Sequence, residues 1–309
     1  MGQPPANPAA TNRDGGGGVA DVGSAVPRPI KTRRIRFRYS DDRLARHYVT
    51  GGPYTGGDLV MSHIVAVLSA VFPEGEDFFV RSVRNSAGDV TDPELAQQVK
   101  GFIGQEVTHG REHRDLNDQL QKMGYPTHRI DRYTKATLER LERLTPRLYP
   151  LAVTAALEHY TATLAETLLS DERARELLGD NEVRSILLWH ALEESEHKAV
   201  AFDVYRAAGG SERMRKTAMV ITSITFIGNV TVNTILSMLA DRATYNPVRL
   251  LKSLWMLRRS PFITRQVRRS LVEYLRTGFH PSDHDNTALL DEWTPKLFGD
   301  HGTLVDRLT

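Results

Sequence analysis

The chain has 309 residues, a formal charge of +2, 40% hydrophobic and 25% charged residues, and no cysteine. That balance suits one medium globular domain with appendages, or two small ones, and excludes low-complexity and collagen-like classes. Without thiols, disulfide scaffolds, thiolate metal sites, iron–sulfur clusters and cysteine nucleophiles are excluded, so any metal must be held by His, Asp or Glu, donors that suit iron, manganese or zinc.

Residues 1–33 contain six Gly, five Pro and five Ala, with no aromatic or Leu before Phe37. They read as a disordered tail, because such a stretch buries too little apolar surface to offset its ordering entropy. Residues 1–30 also lack the basic start and apolar core of a secretory signal, so a cytoplasmic location is expected. Residues 34–58 read as an irregular lead-in, with loop chemistry from Gly51 to Gly57.

From Leu59 to about Ala208 apolar positions recur every three or four residues, the period of a helix. One helix starts near Leu59, and Pro73 either interrupts it or starts another. Asp92-Pro93-Glu94 opens a helix that Gly124 and Pro126 close after about Met123. Further helices are expected over about 131–144, over about 151–169 beyond Pro146 and Pro150, and over about 181–208 before Gly209-Gly210. An all-α fold follows, with a four-helix bundle over residues 34–210.

Residues 211–279 are expected to add C-terminal helices, one apolar and others basic. Residues 217–240 hold no charged side chain, and 242–276 hold nine Lys/Arg and a single acid, Glu273. The first run is long enough to cross a bilayer, and the second resembles a cytoplasmic-side basic flank. Asn229 and Asn233 argue instead for a helix packed on the bundle or on a homodimer partner, being costly in lipid. No groove-reading motif accompanies the basic residues, so nucleic acid is not an expected partner. Residues 280–309 read as a tail.

The chemistry concentrates inside the bundle. In FIGQEVTHGREH, Glu106, His109 and His113 fall within about 60° on one helical face, beside Phe102, Ile103, Leu116 and Leu120. In LLWHALEESEHKAVAFDVY, His190, Glu194 and His197 do the same beside Val183, Ile186, Leu187, Ala201 and Val204. Buried charges are expensive unless paired or metal-bound. Two Glu-x-x-His patches on separate helices, with one further Glu from each of two others, are the donor scheme of a carboxylate-bridged dimetal site. Glu76 in FPEGEDFF and Glu158 in TAALEHYTA complete the order. His190 is within reach as a further ligand, and His113 lies near the site without an assigned role. Rival readings remain for several positions. Glu76 could answer a helix dipole, a role that suits Glu74 better. His159 competes with Glu158, and Glu193 with Glu194. Glu196 is expected to be solvated, and Arg111 and Asp115 to form a solvated ion pair. His63 and Tyr160 could line a pocket, while His128, His280, His284 and His301 fall in loop-like sequence.

The runs FPEGEDFF, FIGQEVTHGREH and LEESEHKAVAFDVY resemble a bacterial family of predicted metal-dependent hydrolases over roughly residues 37–275. The ligand order is similar to that of the ferritin-like diiron superfamily, and His190-x-x-x-Glu194-x-x-His197 resembles the spacing in arylamine N-oxygenases such as p-aminobenzoate N-oxygenase. The resemblance implies Glu76, Glu106, His109, Glu158, His190, Glu194 and His197 as metal ligands, with no substrate pocket carried over.

The leading expectation is a dinuclear non-haem iron oxygenase or oxidase. It would use dioxygen as co-substrate and an external electron donor, and would oxidise a small or lipid-like substrate. A dinuclear hydrolase, with manganese or zinc in place of iron, is the alternative. The third reading is a non-enzymatic metal-binding, membrane-associated helical protein, with residues 217–276 at the membrane surface.

Overall fold

The computed structural model describes residues 1–2, 29–39, 44–50 and 57–309. The expected tail over residues 3–28 and most of the Gly51–Gly57 loop lie outside the described residues. Among the described residues the fold is all-α, and the one extended pairing is an isolated antiparallel bridge between Ile35 and Leu308.

The first six helices are α1 (Leu59–Arg84), α2 (Pro93–Lys122), α3 (Thr127–Leu144), α4 (Leu148–Ser170), α5 (Glu172–Leu178) and α6 (Glu182–His197). They are followed by α7 (Val200–Ala207), α8 (Glu212–Leu239), α9 (Pro247–Leu257), α10 (Arg265–Glu273) and α11 (Thr287–Phe298). Side-chain oxygens cap the starts of several: Asp58 accepts from the Met61 amide, Asp92 from Glu94 and Leu95, and Asn181 from Arg184. Such caps satisfy amides that have no partner inside the helix. α1 packs along α2, α2 meets α6, α6 packs along α4, and α4 meets α1. These four helices therefore enclose a common interior. One apolar cluster fills one end of it, with Trp189, Leu116 and Leu120, and a second fills the other, with Phe78, Phe102, Leu151 and Tyr205. The ionisable residues fall between them.

Pro73 neither interrupts α1 nor starts a helix. Proline lacks the amide that would bond the Ser69 carbonyl, and the Asn117 side-chain amide donates to that carbonyl instead, at 2.9 Å. The helix expected over 181–208 is divided. α6 ends at His197, a turn at Lys198-Ala199 follows, and Lys198 reaches Glu166 and the His284 carbonyl. α5 was not anticipated.

Both ends of the chain wrap this core. Residues 30–37 lie across α2, where Gly101 and Gly104 make room: a Cβ on Gly101 would collide with Ile30, and one on Gly104 with Thr32. The strap pairs with the C-terminus, Arg36 donating its amide to Arg307 and Thr309 donating to Arg34. Within residues 280–309, α11 packs on α6 and α4, and Trp293 donates to the Leu169 carbonyl.

Asn117→Ala should lower the unfolding free energy by about 1–3 kcal/mol, the cost of a buried carbonyl left without a donor. Adding Pro73→Ala should recover part of that loss, because alanine restores the backbone amide that proline lacks. Urea denaturation of the two single variants and the double variant tests the point; simple additivity would contradict it.

Candidate metal centre

Glu76 comes from the middle of α1, Glu106 and His109 from α2, Glu158 from α4, and His190, Glu194 and His197 from α6. All seven are buried, and the structure brings all seven together. Ligating atoms of Glu76, His109 and His190 lie within 4.8 Å of one another, as do those of Glu106, Glu194 and His197. Glu158 joins the second group, its Oε2 standing 3.4 Å from His197 Nε2. Two carboxylates face both groups. Glu194 Oε1 lies 2.8 Å from His190 Nε2, and its Oε2 lies 3.5 Å from His197 Nε2. Glu106 Oε1 stands 3.2 Å from His197 Nε2 and 3.7 Å from His109 Nδ1. Gly110 leaves Glu76 its space, since a Cβ there would sit 3.3 Å from Glu76 Oε2.

The protein does not satisfy these atoms. Nine buried nitrogen and oxygen atoms of Glu76, Glu106, His109, Glu158, Glu194 and His197 have no hydrogen-bond partner among the described residues. Buried polar groups are nearly always paired, so nine unpaired atoms at one point call for a common partner. Burial raises the carboxyls of Glu76, Glu106 and Glu158 well above the usual range, and neighbouring glutamates add to the rise. Burial would raise Glu194 as well, but His197 and His190 outweigh it and hold this carboxyl low. Burial keeps His109 and His113 neutral, with the nearby imidazoles contributing.

Surrounding hydrogen bonds fix each of the three imidazoles. His109 donates from Nε2 to Glu193 at 3.0 Å, which turns the Nδ1 lone pair toward the site. His197 donates from Nδ1 to Gln105 Oε1 at 2.9 Å, leaving Nε2. For His190 the order follows from Asn117, whose amide nitrogen is committed to the Ser69 carbonyl. Its oxygen accepts from the Ser69 hydroxyl, which accepts from His113 Nδ1, and His113 Nε2 accepts from His190 Nδ1. His190 Nε2 is thereby left for the site. Three imidazoles present lone pairs to four carboxylates, an arrangement that fits two divalent cations, whose charge would balance the four anions.

His113 therefore stands behind His190 and orients it. Glu76 is not a first-turn residue, because α1 runs through Pro73. Glu74 has no dipole to answer for the same reason; it is buried, 3.9 Å from Arg114 and 3.8 Å from Lys135. His159 points away and donates to the Ser270 carbonyl. Glu196 is not solvated: it accepts two bonds from Arg33 and one from Gln105. Arg111 pairs with Glu112, and Asp115 with Arg36, rather than with each other.

Residues that sequence reasoning missed close an arc between His109 and His197. From His109 it passes to Glu193, to Arg33, to Glu196, to Gln105 and to His197. Arg33 belongs to the stretch assigned to the tail, where composition concealed it. Glu193 was visible only as a rival of Glu194, and burial pushes its carboxyl up to about 7 despite Arg33.

A second group, His47, His63 and Asp241, also lies within ligating distance. Here every ring nitrogen and both carboxylate oxygens have protein partners, including Arg46, Arg249, Ser237 and the Ala243 amide. With the Arg46 guanidinium on Asp241 and the Arg249 guanidinium on His47, the group is a clasp between residues 44–50 and the end of α8.

A cavity of about 1030 Å³ reaches the centre from one side, touching Glu76, His190 and Glu194. Apart from these, Arg129 is the one Asp, Glu, His, Lys or Arg among its described lining residues, and Tyr160 also lines it. His63 does not.

The chain matches a family described as predicted metal-dependent hydrolase over residues 31–285, and it belongs to that family. No curated protein and no solved structure matches it.

Glu106→Ala and His197→Ala should each abolish metal loading, measured by elemental analysis of purified protein. Gln105→Ala and His113→Ala, which remove the support behind an imidazole but no metal-facing group, should weaken loading about 10–100-fold. Normal loading of Glu106→Ala would contradict the assignment.

Raised carboxyl pKa values stabilise the metal-free fold at low pH, and that contribution is lost as pH rises through the folded-state values. Bound metal displaces the same protons. The gain in melting temperature on adding metal should therefore grow as pH rises above the ordinary carboxylate range. A gain that shrinks over this range would contradict the protonation assigned to Glu76, Glu106 and Glu158.

Proposed function

We propose that this family member is a dinuclear iron enzyme that oxidises an apolar substrate with dioxygen. The observation that carries this reading is the pairing of a four-carboxylate, three-imidazole donor set with a large cavity of almost wholly apolar lining. Glu76, Glu106, His109, Glu158, His190, Glu194 and His197 would hold the ions. Bound iron would supply the redox chemistry that activates dioxygen.

The chain's own residues do the remainder. Phe72, its ring 4.9 Å from that of His190, and the apolar residues Leu164 and Leu187 line the cavity and would keep water out of it. A dry, low-dielectric site strengthens electrostatic interactions and protects reactive species from solvent. The Asn117–Ser69–His113 chain keeps the Nδ1 proton on His190, Gln105 keeps the Nδ1 proton on His197, and Glu193 keeps the Nε2 proton on His109. In an oxygenase reaction one oxygen atom enters the substrate and the other leaves as water, with electrons from an external donor.

The ferritin-like description fits the donor order and the helices that supply it. The family description supports a second reading, metal-dependent hydrolysis with manganese or zinc in the same ligands. There, two metals would activate water and clamp a polar bond. Against it stands the cavity lining, whose described residues include no Asp or Glu outside the ligand set to protonate a leaving group.

Ferrous-loaded protein should consume dioxygen when reduced, and Glu194→Ala should not. An oxygen electrode, run alongside ester and phosphoester cleavage assays under nitrogen, separates the readings. Metal-dependent cleavage without dioxygen uptake would transfer the assignment to hydrolysis.

A further inference from the structure

Among the described residues two helices are long and apolar enough to cross a membrane by length and composition, and they differ in surroundings. The α1 window is 78% buried within the protein, whereas the α8 window is 17% buried. α8 packs one face on α1 and α4, and its polarity is inverted. Thr222, Thr234 and Ser237 are buried, while Asn229 and Asn233 are half-buried and bonded to each other. The outward face carries Val220, Ile224, Ile227, Val232, Ile235 and Leu239, each 45–70% exposed. Their spacing of three to five residues makes one stripe along the helix. α9 repeats the inversion: Ser253 is buried against Asp58, while Val248, Leu251 and Trp255 face outward. A surface helix in water has the opposite arrangement.

We propose that the α8–α9 face docks on an anionic lipid bilayer. Charge identifies the occupant. Across residues 242–276 the exposed charges are all basic, among them Arg258, Arg259, Arg265, Arg268 and Arg269, and Glu273, the one acid, is half-buried beside His284. A second copy set face to face would bring like charges together, whereas acidic headgroups complement them. Arg259 lies over the Trp255 ring at 3.7 Å, an aromatic–basic pair suited to the headgroup level. The face lies on the bilayer rather than crossing it, because the inner side of α8 is committed to the bundle. The cavity that reaches the metal centre is lined by Ile221, Ile224, Val232 and Leu236 of this helix, so its lining is continuous with the docking face. Resting on the proposed function only at this step, the substrate is an apolar chain drawn from the bilayer.

The test is sedimentation of the full-length protein with phosphatidylglycerol vesicles and with phosphatidylcholine vesicles. The chain should pellet with the anionic vesicles and be released by salt. Tryptophan emission should shift to the blue, because Trp255 is 48% exposed while Trp189 and Trp293 are buried. Arg258→Glu with Arg259→Glu should weaken binding by about thirtyfold or more, given roughly 1 kcal/mol for each basic side chain at an anionic surface. Ile227→Asp with Ile235→Asp, both at exposed positions outside the cavity lining, should abolish pelleting while helical content and metal loading stay unchanged. The proposal is overturned if the unmodified protein stays in the supernatant with both vesicle types, or if the aspartate pair leaves binding intact. It is equally overturned if sedimentation shows a dimer that the aspartate pair dissociates, which would make a second copy the occupant. None of these readouts requires catalysis, so failure here leaves the oxidation reading standing.

Discussion

Four carboxylates buried at one point, with no Lys or Arg bonded to them among the described residues, are the constraint on which the rest of the structure depends. Ionising such a group in a low-dielectric interior costs several kcal/mol or more unless a counter-charge is present. Each site carboxylate is buried, and Arg33, the guanidinium joined to the site's hydrogen-bond network, contacts Glu193 and Glu196 rather than the ligand set. Protons can compensate part of the charge, which is why the carboxyls of Glu76, Glu106 and Glu158 rise. Two divalent cations would compensate it fully and would also satisfy the imidazole lone pairs.

The surroundings make sense as a device for holding this arrangement open. The arc from His109 through Glu193, Arg33, Glu196 and Gln105 to His197 ties two imidazoles on different helices to the N-terminal strap. The strap fits because Gly101 and Gly104 leave it room, and the C-terminal residues hold it by backbone bonds. On the opposite side Pro73 frees the Ser69 carbonyl, Asn117 takes it, and the same asparagine sets the proton order that ends at His190. A feature that would ordinarily break α1 becomes part of how a ligand is oriented.

Periodicity made the ligand helices legible, because Glu-x-x-His and His-x-x-x-Glu-x-x-His place their donors on one face whatever the tertiary detail. Glu76 and Glu158 were legible through the apolar residues sharing their faces. Residues that act through another residue were harder to read. Arg33 stands in a Gly- and Pro-rich context that masks its contact with α6, Glu193 reads only as a rival of Glu194, and Glu196 lies off the stripe, where a carboxylate looks solvated. Helix ends were less legible than faces: the turn at Lys198-Ala199 lies within good helix-forming sequence, and Pro73 suggested a break that Asn117 prevents. The polar residues of α8 were visible but ambiguous, since sequence does not say which side of a helix meets the protein.

The most direct test of the central claim is anomalous X-ray scattering at the iron edge from crystals of protein expressed in iron-rich medium. The account predicts two peaks, one beside Glu76, His109 and His190, the other beside Glu158 and His197, with Glu106 and Glu194 between them. No peak at these residues, with the seven side chains paired to one another or to solvent instead, would contradict it.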